Sequence, residues 1–373
     1  MLLANSVATR LSFLAAGFSI ACWAPLVPYA RDRLQVDDAA LGLLLLCLGI
    51  GSVVAMLAAG VLTSRFGSKP VIICSGFGLA LLLPTLAYAS TPIGLSVALL
   101  GFGAALGSLE VGINVHAVEV ERASSRPMMS GFHAMFSVGG FTGSAAMTSL
   151  LSASVPPITC TLICTVGLGI CIAAAWPGLI TGRHGEAGPL FSVPRGIVVL
   201  LAALCAATFL VEGAMLDWGA LLLVGSGLTE TSHGGLGYMV FAVAMTAGRL
   251  AGDRVVARLG QFKVLVGGGA VAVVGLLVVV AAPTMAVALF GFLLIGTGGS
   301  NLVPILFSRA GRQRVMPVSL AVAAITTIGY AGILLGPALI GFAAHAIGLQ
   351  ATFGLLALLM ASVPLTARMT TAK

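Results

Sequence analysis

The 373-residue chain predicts an all-α integral membrane protein with twelve transmembrane helices in two pseudo-symmetric six-helix bundles. Composition is the first ground. Apolar residues make up 59% of the chain and charged residues 8%, and the mean hydropathy is +1.13. Soluble domains run at about 45–50% apolar and about 25% charged, so this chain has too little polar surface to cover a water-soluble globule. At about 20 apolar residues per span, its length holds twelve helices joined by short loops. The second ground is charge distribution. When alternate loops are assigned to alternate sides, all of the 18 Lys and Arg residues except Arg31 and Arg33 fall on one side. That side is expected to be cytoplasmic, with both termini on it. The same asymmetry accounts for the net charge of +7 without a nucleic-acid partner. The third ground is an internal repeat. Arg65 and Gly67 recur as Arg258 and Gly260, an offset of 193 residues (258 less 65). Gly139 and Gly143 recur at the same offset as Gly332 and Gly336.

The segments follow in order. The apolar run Leu11–Pro28 follows Arg10 and has a signal-peptide look, but another span succeeds it after a short polar loop, so it is expected to be part of a retained first helix, Ala8–Tyr29. Further apolar runs are expected over Ala39–Leu62, Pro70–Ala89, Ile93–Val120, Met128–Leu151 and Pro157–Thr181. The longest polar stretch comes next. It divides the chain into an N-terminal bundle (1–182), a cytoplasmic linker (183–194) and a C-terminal bundle (195–373). The second bundle repeats the pattern over Arg195–Gly225, Gly234–Val256, Val264–Ala282, Met285–Phe307, Pro317–Ile347 and Gln350–Leu365. A duplicated six-helix unit places a solute site near the bilayer midplane, with the two bundles rocking about it.

Inside this apolar frame a few polar residues stand out. A carboxylate at the centre of a membrane helix costs about 2.5–3.5 kcal/mol on insertion scales, so it persists where it lines a cavity, has a partner or carries a proton. Glu110 and Asn114 share one stripe of segment four, with small Ala117 next and Glu121 beyond. Glu110 is the leading candidate for proton coupling, joined by His133 in segment five and Glu212 in segment seven. His133 has a neutral form that a membrane tolerates and a titration range that suits coupling. Asn114, Asn301, Trp23 and Trp218 are the candidate solute-binding residues. Asn amides can serve solute binding or helix packing, and the tryptophans can stack on a solute or sit in an interfacial belt. Glu121 is expected near the headgroups, Arg249 is expected to pair with Asp253 one turn on, and Pro304 is expected to loosen segment ten. Cys160, Cys164 and Cys171 share a helical stripe, yet cysteine among apolar residues reads first as a small buried hydrophobe, so neither disulfide nor metal site is expected. No phosphate loop, metal-ligand cluster or nucleophile triad is present, and the loops are too short for a nucleotide-binding domain. An enzyme is not expected, nor a cofactor.

The loop Gly60-Val-Leu-Thr-Ser-Arg65-Phe-Gly67-Ser-Lys69 resembles the signature loop of the major facilitator superfamily, and the resemblance extends over the whole chain. It implies that Gly60, Arg65, Gly67 and Lys69, with Asp253, Arg258 and Gly260 in the second copy, serve the conformational switch. Ser64 replaces the usual aspartate, which weakens the loop's charge relay. Leu109-Glu110 with Asn114 is similar to the fucose-permease branch, in which the corresponding glutamate is implicated in proton coupling. Arg126–Gly140, Glu212–Trp218 and Gly299–Ser308 are similar to bacterial YbjJ-type inner-membrane proteins. The expected function is alternating-access secondary transport: proton-coupled uptake of a small polar solute, such as a sugar or related metabolite, across a bacterial-type inner membrane by a monomer. Segment one lacks the acidic residue of the fucose permease, so the resemblance does not secure a sugar. Two alternatives stand beside this reading. One is a proton-driven exporter of hydrophobic compounds, to which an aromatic content of 6% lends no particular support. The other is a transport-inactive membrane receptor.

Overall fold

The computed structural model describes residues 2–36, 38–181, 193–230 and 234–371, and every regular element among them is helical. The expected linker lies outside the described residues over 183–192. The first span is α1 (Leu2–Trp23) and α2 (Val27–Leu34), joined by a 3₁₀ turn at Ala24–Leu26. It starts six residues before the expected Ala8. Pro25 and Pro28 lack the N–H that a continuous helix needs, which explains the tighter turn. Then come α3 (Asp38–Phe66), α4 (Ser68–Tyr88), α5 (Pro92–Ser124), α6 (Met129–Ser152) and α7 (Pro157–Ala175). Segment seven divides into α8 (Ile197–Asp217) and α9 (Gly219–Gly225), with Trp218 at the joint. The chain continues through α10 (Leu236–Leu259) and α11 (Gln261–Ala281) to segment ten, which divides into α12 (Met285–Gly299) and α13 (Leu302–Arg312). The last two spans are α14 (Val318–Ile347) and α15 (Leu349–Thr371).

Eleven helical stretches among the described residues are long and apolar enough to cross a membrane. The twelfth span is the 24-residue α10, whose hydropathy is lowered by Arg249 and Asp253. The residues form two compact units. One comprises Met1–Ser125, Phe132–Val193 and Met316–Ala323, and the other comprises Arg126–Gly131, Pro194–Val315 and Ala324–Lys373.

The repeat is visible in local chemistry. Thr91 caps α5 by accepting the Gly94 N–H at 3.1 Å, and Thr284, at the same offset of 193 (284 less 91), accepts the Val287 N–H at 3.4 Å ahead of α12. Each cap satisfies a backbone donor that the first helical turn leaves over. Gly67 and Gly260 stand between successive spans with φ of 84° and 79°, a region that a side chain disfavours. Packing repeats too. In the first unit a Cβ on Gly103 would sit 2.0 Å from the Leu48 carbonyl oxygen, so α5 lies directly on the backbone of α3. In the second unit a Cβ on Gly296 would sit 2.4 Å from the Phe241 carbonyl oxygen, and both members of that pair are shifted by 193. Small residues let membrane helices approach this closely. Ser52 strengthens the first contact by donating to the Gly103 carbonyl at 2.8 Å.

Candidate functional site

In the first unit Glu110 lies near the middle of the 33-residue α5 and is only 5% exposed. Asn114, one turn on, is 1% exposed. Its amide nitrogen donates back to the Glu110 backbone carbonyl at 2.8 Å, which fixes its rotamer. Its Oδ1 is buried with no hydrogen-bond partner among the described residues. His133 is buried on α6, with its ring 5.2 Å from that of Phe13 on α1. Trp23 is buried at the end of α1, and its indole Nε1 has no partner among the described residues. Glu121, near the C-terminal end of α5, is buried.

His116 belongs to the same polar stretch of α5, and its role follows from contacts that the sequence does not display. Its Nε2 accepts the Ile180 N–H at 3.0 Å, which leaves its proton on Nδ1, 3.0 Å from the Thr9 hydroxyl. Thr9 in turn donates to the Asn5 carbonyl at 2.8 Å. One fully buried imidazole thus ties α5 to α1 and to the segment after α7. Ser68, at the start of α4, donates to the Glu119 carboxylate at 3.3 Å. That bond ties the start of α4, just after Gly67, to α5. Gly60 is buried, whereas Arg65 and Arg258 are exposed.

In the second unit Arg249 and Glu212 form a salt bridge. Arg249 sends its Nη2 across to Glu212 on α8, at 3.2 Å from Oε1 and 3.3 Å from Oε2. Asp253 accepts the Gly131 N–H at 3.1 Å. A carboxylate at the first turn of α6 suits the helix dipole. The i, i+4 spacing along α10 pointed to Asp253, whereas the Glu212 carboxylate comes from a neighbouring helix.

The break in segment ten explains how Arg249 is held. Pro304 has no N–H, so the carbonyl one turn earlier, that of Ser300, has no helical donor. That oxygen lies 3.4 Å from Arg249 Nε. Asn301 donates to the Gly248 carbonyl at 3.2 Å and to Ser300 Oγ at 2.9 Å. Its Oδ1 faces Gly252, where a Cβ would come within 1.8 Å. Both ends of the Asn301 amide therefore lie against α10. Trp218 packs on α14, and a Cβ on Gly341 would lie 3.3 Å from its ring. Its Nε1 is buried without a partner among the described residues. No group of three or more His, Cys, Asp or Glu side chains among the described residues is placed to hold a metal ion.

An all-helical, internally repeated membrane protein that buries Glu110, Asn114, His133 and a Glu212–Arg249 pair within its spans is a membrane transporter. It belongs to the Major Facilitator Superfamily, whose family profile matches residues 11–315. It is similar to an uncharacterised MFS-type transporter of Yersinia pestis, with 49% identity over 371 residues, covering 99% of this chain and 96% of the relative. It is also similar to the membrane protein MosC of Rhizobium meliloti, with 30% identity, covering 92% of this chain and 84% of MosC. Among solved structures, the MFS transporter FucP in the outward conformation superimposes with a TM-score of 0.80 at 17% identity, covering 99% of both chains.

Proposed function

We propose that this transporter takes up a small polar solute by alternating access, coupled to inward proton movement, with both termini cytoplasmic. The observation that carries the reading is Glu110, a carboxyl 5% exposed near the middle of a membrane span. One turn away, Asn114 Oδ1 is buried without a partner among the described residues. A carboxyl kept in a membrane span lines a cavity, holds a partner or carries a proton. An orphaned amide oxygen calls for a donor such as a hydroxyl or an N–H. The indole N–H groups of Trp23 and Trp218 call for acceptors. A polar solute satisfies both kinds of group, and a purely hydrophobic one satisfies neither. FucP, the fucose:proton symporter of E. coli, shares the fold. His133 and Glu212 complete the proton-coupling set, and the segments containing Gly60, Arg65, Gly67, Lys69, Asp253, Arg258 and Gly260 carry the conformational switch.

The test is solute-driven proton movement into proteoliposomes loaded with a pH dye. The wild type should acidify the lumen with one class of polar solute, and Glu110→Gln should abolish that acidification. Solute uptake by Glu110→Gln at the wild-type rate with wild-type proton flux would remove Glu110 from the mechanism. Uptake by the wild type without proton flux would make the protein a uniporter.

A further inference from the structure

We propose that α10 and α12 hold an anionic phospholipid, with one acyl chain in a groove between the two helices and the headgroup phosphate on Arg254 and Arg258.

The groove follows from side-chain size. The two helices meet backbone to backbone where a Cβ on Gly296 would sit 2.4 Å from the Phe241 carbonyl oxygen. Beside that contact α10 carries Ala244, Ala247 and Gly248, which are too small to fill the angle between two helices. A groove of about 560 Å³ remains, lined by these three residues together with Val240, Leu293 and Thr297. Thr297 is the one polar side chain along it, and its hydroxyl donates to the Leu293 carbonyl at 2.8 Å. The wall is therefore hydrocarbon, which suits an acyl chain and offers nothing to a polar solute. It faces the bilayer. Val243 at its edge is 66% exposed and Leu293 is 42% exposed. The inward side of α10 is the opposite one: Arg249, two residues before Ala251 and so about 200° round the helix, reaches Glu212 on α8.

One end of the groove runs into positive charge. Val240, Ala244, Ala247, Ala251, Arg254 and Arg258 follow one another at intervals of three and four residues, so they form one stripe along α10. Arg254 and Arg258 are exposed, as is Lys263 in the first turn of α11. Asp253 is the only acidic residue from Leu236 to Arg314, and it accepts the Gly131 N–H. The field at this end of α10 is positive. Guanidinium forks bind phosphate bidentately, and basic pockets between membrane helices are where anionic headgroups bind. The lengths agree as well. Ala244 and Arg254 are ten residues apart (254 less 244), about 15 Å along the helix axis. Half of a hydrocarbon core of about 30 Å is the same depth. A phosphate held by the two arginines therefore lays its acyl chain along the stripe as far as Ala244.

The first repeat lacks this combination. At the offset of 193, Ala247 corresponds to Val54 and Arg254 to Val61, while Arg258 corresponds to Arg65. A valine on the wall narrows a groove, and a valine in place of an arginine removes a phosphate contact. The site belongs to the second unit and is not a general consequence of basic loops. A second copy of the chain fits the stripe less well than a lipid does. A twofold contact sets the same surface against itself, and two copies inserted in the same sense would bring their arginines together.

The experiment is native mass spectrometry of the full-length protein, delipidated in a mild detergent and titrated with dioleoyl phosphatidylglycerol. Dioleoyl phosphatidylethanolamine has the same chains and no net charge, and sn-glycerol 3-phosphate has the charge and no chains. The wild type should bind one phosphatidylglycerol at least tenfold more tightly than phosphatidylethanolamine, and glycerol phosphate should not displace it. Each cation near a membrane surface contributes about fivefold, so Arg254→Gln should weaken phosphatidylglycerol binding about fivefold and Arg254→Gln/Arg258→Gln about 25-fold, with phosphatidylethanolamine unchanged. Ala247→Phe keeps every charge and fills the groove, and it should weaken both lipids. All three positions are exposed, so the variants should keep the monodisperse size-exclusion peak of the wild type. If Ala247→Phe loses that peak, Ala247→Val, which installs the residue of the first repeat, replaces it. The proposal is overturned if phosphatidylethanolamine binds as tightly as phosphatidylglycerol, if the arginine variants keep the wild-type preference, if filling the groove leaves binding unchanged, or if glycerol phosphate displaces the lipid. A dimer of the delipidated protein that the position-247 variant dissolves would give the groove to a second copy and overturn it too.

Discussion

Gly103→Ala should destabilise this protein through the backbone of a neighbouring helix. A Cβ at position 103 would sit 2.0 Å from the Leu48 carbonyl oxygen. Even the close Cα–H···O contacts of packed helices keep carbon and oxygen about 3.3 Å apart. The two helices must therefore separate locally by about 1.3 Å, the difference between 3.3 and 2.0 Å. Overpacking costs about 1–3 kcal/mol. The upper end applies, because the obstacle is a peptide group that no rotamer change can move. Alanine recovers about 1 kcal/mol through helix propensity, leaving a net loss of about 2 kcal/mol. At about 2–4 °C per kcal/mol for larger domains, the unfolding temperature should fall by about 4–8 °C. Gly101→Ala is the internal control. It lies on the same helix, and its Cβ would meet only the Leu82 methyl groups, at 3.5 and 3.6 Å. That is ordinary contact, so Gly101→Ala should be neutral or stabilising. Gly296→Ala should repeat the Gly103→Ala result in the second unit, where the Phe241 carbonyl oxygen is the obstacle. The assay is the temperature at which half of the detergent-solubilised protein leaves its monodisperse size-exclusion peak. Equal shifts for positions 101 and 103, or a Gly103→Ala protein as stable as wild type, would refute the argument from backbone approach.

Other predictions concern single side chains. Arg33 donates to the Ala89 and Leu86 carbonyls at 2.9 Å each, closing the C-terminal end of α4. Arg33→Ala should cost about 1.5–3 kcal/mol, the range for charged hydrogen bonds, and Arg33→Lys should fail to restore it in the same unfolding assay, because one ammonium cannot reproduce the fork. His116→Leu leaves the Ile180 N–H and the Thr9 hydroxyl without their partner and should cost about 1–3 kcal/mol. Protease accessibility of the segment following Gly178 should rise with it. Pro304→Ala supplies an N–H that competes with Arg249 for the Ser300 carbonyl. It should raise the unfolding temperature while lowering solute-driven proton flux in proteoliposomes, and an unchanged flux would show that the helix break is dispensable.

Much of the fold was legible because the bilayer simplifies the code. Spans must be helical and about 20 residues long, so apolar runs and basic loops located all twelve. The breaks within spans depend on local backbone chemistry that hydropathy does not display: the prolines at 25 and 28 divide the first span and Trp218 marks a joint in the seventh, whereas the break in the tenth lies just before Pro304, where the sequence pointed to a loosened helix. The candidate residues were legible by rarity. A carboxyl, an amide or an imidazole in an apolar run is conspicuous, which is why Glu110, Asn114, His133 and Glu212 stood out. Their partners were not legible. The Arg249–Glu212 pair was not legible because helical spacing is the one distance a sequence displays, whereas the distance from α10 to α8 depends on packing. His116 was visible from the outset, but Thr9 and Ile180 lie 107 and 64 residues away along the chain.

The sequence by itself therefore determined the solvent, the number of spans, the duplication and the short list of polar residues, because each follows from composition and periodicity along one chain. Only the tertiary structure decided that Asn114 is turned onto the Glu110 carbonyl, that Asp253 serves the first turn of α6, and that Glu212 and Arg249 form a pair. Those outcomes are set by which helix faces meet, and helices meet where glycine lets one backbone rest on another.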